Sequence, residues 1–302
     1  MGGFPLLAYG TPRKLPRAQD LEGRVVVLDV AFAANVAGSS FEKVTLPFLE
    51  GLGERLAMWI DHHDHDRHPA YAADPRFVLR KKAEHGACPE LVTPARVQWA
   101  GKVDTICTHV DFDGLCSAAK WIRGGEEPYP GADADARAID TRMGKASELA
   151  VTIDRALRGR PRDEGLRGVI VRYLALGATD LGLFDPIARA SRRFEAIERE
   201  SMRLSSRYHI EGEVAVCDAT RRGGPYDKTS LLLMGQERAR LSVVHDETTV
   251  TIAARFDSGV DLVELLGLDG GMPTRVSVPA KRLAEVIEIL HGRAESVPKE
   301  PR

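Results

Sequence analysis

The chain has 302 residues, of which 43% are hydrophobic and 28% are charged, and its formal net charge at pH 7 is −2. This length favours two domains with separate cores, and the composition is ordinary for a soluble globular protein. The slight negative charge argues against a protein that wraps long nucleic acid, because such proteins need a strongly basic face, but it is compatible with a local phosphate-binding pocket.

The cysteines and the N-terminus indicate the compartment. The four cysteines form no Cys-x-x-Cys pair, and they are Cys88, Cys107, Cys116 and Cys217. This scatter favours reduced, buried thiols over a disulfide framework or a zinc site. No basic region precedes a long apolar run at the N-terminus, and no stretch reaches spanning length. We therefore expect a cytoplasmic protein that does not interact with membranes.

Three apolar runs in the first half of the chain predict buried strands. They span 24–29, 55–61 and 103–109, with helix-length segments between them. This pattern is typical of an α/β fold with a mostly parallel, doubly wound sheet covered by helices on both faces. Ligands of such sheets bind beyond the carboxyl ends of the strands, where Asp29, Asp61 and His109 would emerge.

A helical segment and a change of pattern follow. Helices are predicted over 114–125, 145–157, 168–176 and 186–204 from apolar spacing and a terminal glycine pair. From His209 onward, short β-rich runs alternate with turn residues, at 213–219, 229–235, 240–247 and 249–255. A helix-like stretch is predicted over 280–290. The simplest division is a first domain at 1–207 and a smaller mixed α/β domain at 208–302.

Two clusters of potential metal ligands each follow an apolar run. Asp61-His62-His63 comes directly after 57–60, whereas isolated histidines beside aspartates, as in 64–68, are usually solvated loop residues. In the second cluster His109, Asp111 and Asp113 alternate along an extended segment, which places them on one side before Gly114 turns the chain into a helix. Carboxylates and imidazoles without thiolate favour Mn²⁺ or Mg²⁺ over structural Zn²⁺. Two such ions would activate water and stabilise the charge that builds on phosphorus during phosphodiester hydrolysis.

These clusters carry a family resemblance. Asp61-His62-His63 together with His109-x-Asp111-x-Asp113-Gly114-Leu115-x-Ser117-Ala118 resembles the DHH phosphoesterase superfamily. That superfamily includes RecJ-type exonucleases, nano-RNases, cyclic dinucleotide phosphodiesterases and manganese pyrophosphatases. Its two single aspartates look like Asp29 and Asp180, with Asp185 as a competitor for the second. In the family the His-x-Asp-x-Asp motif ordinarily comes first, so the order here implies a circular permutation within the first domain.

The resemblance implies a role for each residue. A first ion would be held by His109, Asp111 and Asp180, and a second by Asp113 and His62, with Asp29 bridging both. Two Mn²⁺ ions are implied, for which Mg²⁺ or Co²⁺ could substitute. His63 would polarise the phosphate or protonate the leaving oxygen, and Asp61 would orient an imidazole. The permutation predicts that the strand ending at Asp29 neighbours the strand ending at His109.

Recognition of the substrate is predicted less sharply. The family commonly carries a Gly-rich loop followed by His in its C-terminal domain, whereas here Gly270-Gly271 is followed by Met272. Backbone amides at Gly270 and Gly271 could approach a phosphate, although a plain turn explains the pair as well. Arg255, on an apparent strand, could grip an anionic oxygen. Arg142 is a weaker candidate, because such residues are more often solvated surface charges.

The expected function is that of a Mn²⁺-dependent phosphodiesterase or exonuclease. Its substrates would be short oligonucleotides or cyclic dinucleotides, because long single strands need an extended basic, aromatic-lined groove that the sequence does not show. The sequence leaves open a phosphomonoesterase or pyrophosphatase of the same superfamily. It also leaves open a sensor that binds a nucleotide without cleaving it, and a homodimer. No long duplex partner is expected.

Overall fold

A computed structural model of the chain describes residues 4–34, 39–268 and 272–294. The chain divides into two compact units, Met1–Arg193 and Phe194–Arg302. The division falls inside a long helix, Leu181–Ser205, whereas the predicted boundary at 207 lies just beyond its end. None of the described helices combines the length and apolarity needed to cross a bilayer.

The first unit contains a parallel sheet. Its strands, β1 (Leu6–Tyr9), β2 (Val25–Leu28), β3 (Leu56–Asp61), β4 (Phe77–Leu79) and β5 (Thr105–Thr108), lie in the order β1-β5-β2-β3-β4. All four neighbouring pairs are parallel, as predicted. The three predicted strands are the central ones. The two edge strands, which were not predicted, are short apolar runs, LLAY and FVL, and are less completely buried than the central strands.

Both faces of this sheet are covered, which explains why its central strands are buried at every position and mostly apolar. In β2 the side chains of Val26 and Leu28 belong to one hydrophobic cluster and those of Val25 and Val27 to another. Successive side chains of a strand point to opposite faces, so a strand buried on both sides shows no polar alternation. The helices of this unit are α1 (Leu46–Leu52), α2 (His68–Tyr71), α3 (Pro94–Ala100), α4 (Phe112–Ile122), α5 (Ala132–Thr141), α6 (Glu148–Gly159), α7 (Glu164–Ala175) and the start of α8 (Leu181–Ser205).

Helix α4 begins earlier than the sequence predicts. Its first residue is Phe112 and not Gly114, because the Asp111 side chain caps it by accepting the N–H of Gly114 at 3.1 Å. The predicted glycine pair does follow its end. Gly124 and Gly125 have φ values of 72° and 94°, which favour glycine.

The second unit has a mixed sheet. Its strands, β6 (Tyr208–Glu211), β7 (Val214–Asp218), β8 (Leu241–His245), β9 (Thr249–Ala254) and β10 (Arg275–Pro279), lie in the order β10-β9-β8-β7-β6. Only the β7–β8 pair is parallel. The described helices are α9 (Lys228–Gln236), α10 (Leu262–Leu265) and α11 (Leu283–Ala294). The prediction of a mixed α/β second domain is confirmed.

One predicted strand of the second unit is wrong. Residues 229–235 form most of α9, whose buried residues Leu231, Leu232 and Gly235 have helical spacing. The leucine run suggested a strand because short apolar runs do not distinguish the two structures. Gly235 allows the helix to lie close to β8, since a Cβ there would be only 2.1 Å from Ser242 Oγ.

Candidate metal centre

The carboxyl ends of the central strands bring the predicted ligands together. β2 lies between β5 and β3, so the segments that follow these strands meet at one edge of the sheet. Asp29 follows β2, His62 and His63 follow β3, and His109 follows β5. The predicted neighbourhood of the Asp29 and His109 strands is therefore confirmed. The circular permutation, which was inferred from motif order, stays a prediction.

Asp29 has an unusual backbone at the centre of this edge. Its φ is +59°, in the left-handed region that non-glycine residues rarely adopt and that costs about 1–3 kcal/mol where it occurs. Its N–H donates to Ile60 O at 2.9 Å. The buried carboxylate has Oδ1 3.3 Å from His62 Nε2 and Oδ2 3.7 Å from His109 Nδ1. Asp29 is thus placed between two imidazoles.

His62 directs its Nε2 toward three carboxylates. Nδ1 lies 2.9 Å from the carbonyl oxygen of His85, which can only accept, so Nδ1 carries a proton and Nε2 is the nitrogen that a metal would use. Nε2 faces carboxylate oxygens of three aspartates at 3.2–3.6 Å, namely Asp29, Asp113 and Asp140. An octahedral ion with ligands at about 2.1 Å has adjacent donors about 3 Å apart. The ligand atoms of His62, Asp113 and Asp140 lie within 4.8 Å of one another, close enough to hold one divalent ion.

A second group of donors forms around His109. Its Nδ1 lies 2.8 Å from Asp111 Oδ2, and Asp29 completes the group. The turn from His109 into helix α4 is tight, because a Cβ on Gly114 would be 2.7 Å from the carbonyl oxygen of His109. Asp113, in the first turn of α4, turns to the His62 group and accepts the N–H of Cys88 at 3.0 Å. Asp29 is the residue shared by both groups.

The crowded carboxylates create a demand for positive charge. Burial and the negative charges of Asp113 and Asp111 raise the pKa of Asp29 well above its usual value. Burial disfavours an imidazolium, yet Asp113 and Asp29 raise the pKa of His62 to about 12. Burial also disfavours the charged form of His109, but Asp111 and Asp29 raise its pKa to about 9. Protons are thus held at this edge unless another cation takes their place.

The buried donor atoms fit divalent ions. Within the described part of the chain, Asp29 Oδ1 and His62 Nε2 are buried without a hydrogen-bond partner. Buried polar atoms are normally paired, so unpaired donors that face one another indicate a site for a cation. The oxygen and imidazole set suits Mn²⁺ or Mg²⁺. The residues present therefore fit divalent ions, and a centre with two ions stays a prediction.

His63 has a different environment from His62. Its Nδ1 donates to Asp61 Oδ1 at 2.8 Å, and 27% of its side chain is exposed while Asp61 is fully buried. Burial alone would raise the pKa of Asp61, but the His63 ring holds it below its usual value. The Asp61 carboxylate therefore orients His63, as predicted for one of the two imidazoles.

Two residues at the centre, Asp140 and Lys82, were not predicted from the sequence. Asp140 lies in the last turn of α5, and its Oδ2 is 3.6 Å from His62 Nε2 and 2.5 Å from Lys82 Nζ. An acidic residue in the last turn of a helix is disfavoured by the helix dipole, which is a signal that could have identified it. Lys82 gives no such signal, because it stands in a basic run, 80–82, of the kind usually found on a surface.

The structure does not bring Asp180 to the centre. Its exposed side chain accepts the N–H groups of Gly182 and Leu183 at 2.8 and 3.1 Å at the start of α8. Asp180 belongs to none of the potential ligand groups among the described residues. Its competitor Asp185 pairs with Arg189 one turn along the same helix. The motif context therefore points to a helix-capping residue, and the additional carboxylate of the centre, Asp140, lies in the His62 group and not in the His109 group where Asp180 was expected.

Arg142 and Arg255 are the two predicted substrate-binding residues that the structure describes. Arg142, in the left-handed conformation with φ 61°, has Nη1 4.0 Å from Asp154 Oδ2. Arg255 follows β9, is exposed, and pairs with Asp257 at 3.1 Å. Gly270 and Gly271 lie outside the described residues. Substrate contacts by these four residues stay a prediction.

Comparison with known proteins shows the fold. No family model and no curated protein matches the chain. Among solved structures, RecJ in complex with Mn²⁺ from Thermus thermophilus has a TM-score of 0.52 at 13% identity, over 99% of this chain and 53% of RecJ. This chain therefore spans about half of that protein.

Two further structures give lower scores. Exonuclease RecJ bound to manganese has a TM-score of 0.49 at 16% identity, covering 91% of this chain and 76% of that one. The pGpG-specific phosphodiesterase PggH from Vibrio cholerae has a TM-score of 0.46 at 11% identity, covering 91% and 99%. RecJ and PggH belong to the DHH superfamily. The resemblance inferred from the motifs is confirmed as a shared fold by the Thermus protein.

Asp140 and Asp180 can be compared directly as ligands. We expect Asp140→Asn to weaken Mn²⁺ binding at least about tenfold, since even residues that only orient a ligand have effects of this size. Asp180→Asn should leave it unchanged, because Asn also caps helices well. Calorimetric titration of both variants measures this. Weaker binding in Asp180→Asn with unchanged binding in Asp140→Asn would contradict the structure.

The raised pKa values of His62 and His109 predict proton release on metal binding. Below pH 9 both side chains are imidazolium ions in the metal-free protein, and a metal must displace one proton from each ring. The apparent affinity for Mn²⁺ should therefore fall at least about tenfold for each pH unit between 8 and 6. Calorimetry in two buffers of different ionisation enthalpy counts the released protons. A pH-independent affinity without proton release would refute this account of the charge balance.

Proposed function

We propose that this protein is a two-metal phosphoesterase that hydrolyses phosphodiester bonds with Mn²⁺ as its principal ion. The observation that carries this proposal is the buried Asp29 carboxylate, which approaches His62 with Oδ1 at 3.3 Å and His109 with Oδ2 at 3.7 Å and so links two groups of potential ligands. Single-ion binding sites do not need a bridging carboxylate, whereas two-metal hydrolases hold their ions close enough to share one. A non-catalytic sensor would have little use for this arrangement.

Each ion has a proposed set of ligands. One would be held by Asp29, His109 and Asp111, and the other by Asp29, His62, Asp113 and Asp140. This set omits Asp180, which was expected with His109 and Asp111, and adds Asp140 to the ion of His62 and Asp113. When bound, the ions would supply a hydroxide at neutral pH and stabilise negative charge on the phosphoryl oxygens.

His63 is the proposed general acid. With Nδ1 bound to Asp61, its Nε2 is the nitrogen available to the substrate. An imidazolium at this position would donate the Nε2 proton to the leaving oxygen as the P–O bond breaks, and the Asp61 carboxylate would stabilise the charged ring before transfer. The partial exposure of His63, unlike the complete burial of His62, supports a role toward a ligand that enters from solvent.

The proposed substrates are short. Oligonucleotides of a few residues or cyclic dinucleotides need only a local anion site, which a protein of net charge −2 can provide. Long single strands are bound by continuous basic grooves lined with aromatic residues. Cleavage from an end, as in an exonuclease, is compatible with this proposal.

The test is hydrolysis by the full chain with and without Mn²⁺. Bis-p-nitrophenyl phosphate measures diesterase activity, and a panel of linear dinucleotides, cyclic dinucleotides, nucleoside bisphosphates and pyrophosphate separates the alternatives. We expect Mn²⁺-dependent turnover that is highest on dinucleotides. Turnover restricted to pyrophosphate would instead identify a pyrophosphatase, and tight nucleotide binding without turnover in any divalent metal would identify a sensor.

A matched pair of histidine variants tests the general acid. His63→Ala should lower kcat at least about 100-fold, the usual contribution of proton transfer, while Mn²⁺ affinity changes little. His209→Ala is the control, because this side chain is 73% exposed in the second unit. An equal loss of metal binding and of kcat in His63→Ala would show that His63 is a ligand and not the acid.

A further inference from the structure

Lys82 is a buried cation beside one of the two donor groups. Only 4% of the residue is exposed, and its Nζ lies 2.5 Å from Asp140 Oδ2. The same carboxylate oxygen is 3.6 Å from His62 Nε2. Lysines are almost never buried to this degree unless a carboxylate pairs with them. The ammonium group therefore lies next to an atom that is a candidate metal ligand.

Among the described residues, only one of the two donor groups has a lysine next to it. In the described part of the chain, no lysine or arginine nitrogen is within 4.0 Å of a carboxylate oxygen of Asp29 or Asp111, whose recorded ionic partners are histidines. Lys82 thus approaches the His62 group through Asp140 and not the His109 group. A fixed positive charge beside one group must repel an ion bound there more than an ion bound in the other.

The formal charges support this asymmetry. The centre and its immediate neighbours contain five carboxylates, from Asp29, Asp61, Asp111, Asp113 and Asp140. Two divalent ions supply four positive charges, and Lys82 supplies the fifth. Lys82 therefore completes the neutralisation of the centre, but part of the negative charge that would attract the ion of the His62 group is already compensated.

We propose that Lys82 is a built-in cation that makes the two metal sites unequal. The ion held by Asp29, His62, Asp113 and Asp140 binds more weakly and exchanges more readily than the ion held by Asp29, His109 and Asp111. Lys82 is a positioning residue, since it acts on the metal through Asp140. This inference rests on the proposed two-metal function.

A purely structural role for Lys82 makes the opposite prediction. If the ammonium served only to hold Asp140 in place, its removal would free the carboxylate and weaken metal binding. If it compensates charge at the site, its removal leaves an additional negative charge for the metal, and binding becomes tighter. The direction of the change in affinity therefore separates the two roles.

The experiment is a Mn²⁺ titration of the full chain and its variants by calorimetry, with electron paramagnetic resonance to count bound ions. Lys82→Met replaces the ammonium by an apolar side chain of similar length, and Lys82→Gln serves if Met impairs folding. Lys120→Met is the matched control. Lys120 is also buried, at 6% exposure, and its Nζ also lies 2.5 Å from a carboxylate, that of Asp133, which belongs to neither donor group.

The wild type should bind two ions in steps of different affinity. In Lys82→Met the weaker step should tighten at least tenfold while the stronger step is unchanged, and Lys120→Met should match the wild type. A weaker step that is unaltered or further weakened in Lys82→Met, or two equal steps in the wild type, would overturn the inference and leave the proposed function standing. A wild type that binds no Mn²⁺ would overturn the proposed function itself.

Discussion

The concentration of carboxylates at one edge of a parallel sheet is the constraint on which the rest of this structure depends. Negative groups do not gather in a buried place unless something positive is held among them. The raised pKa values of His62 and His109 follow from the same crowding. Divalent ions would satisfy this demand, and in the proposed function they would supply the hydroxide that hydrolyses a phosphodiester.

The fold could be predicted from the sequence where burial is complete. The strands before Asp29, Asp61 and His109 are mostly apolar because both faces of the sheet are covered and every position is buried. The edge strands β1 and β4 are apolar only over four and three residues, which is too short a run to predict a strand. The segment of α9 resembles a strand because three consecutive leucines fit the spacing of a helix or of a strand. Packing against the neighbouring sheet decides such a segment, and packing is not a local property of the sequence.

The centre could be predicted where its ligands stand in short motifs. Asp29, His62, His109, Asp111 and Asp113 follow strands directly, and the structure groups them as expected. Asp140 comes from the end of a helix and Lys82 from a basic run, so only the fold brings them to His62. Asp180 shows the converse, since a suitable motif context can belong to a helix cap. Lys82 gives the centre an asymmetry that a list of ligands would not reveal.

The most direct test of the central claim is a crystal structure of the protein grown with Mn²⁺, with anomalous scattering recorded at the manganese edge. Our account predicts two peaks about 3.5–4 Å apart, the spacing of two-metal sites. One peak would lie among Asp29, His109 and Asp111, and the other among Asp29, His62, Asp113 and Asp140. A single peak, or a peak coordinated by Asp180 in place of Asp140, would contradict it.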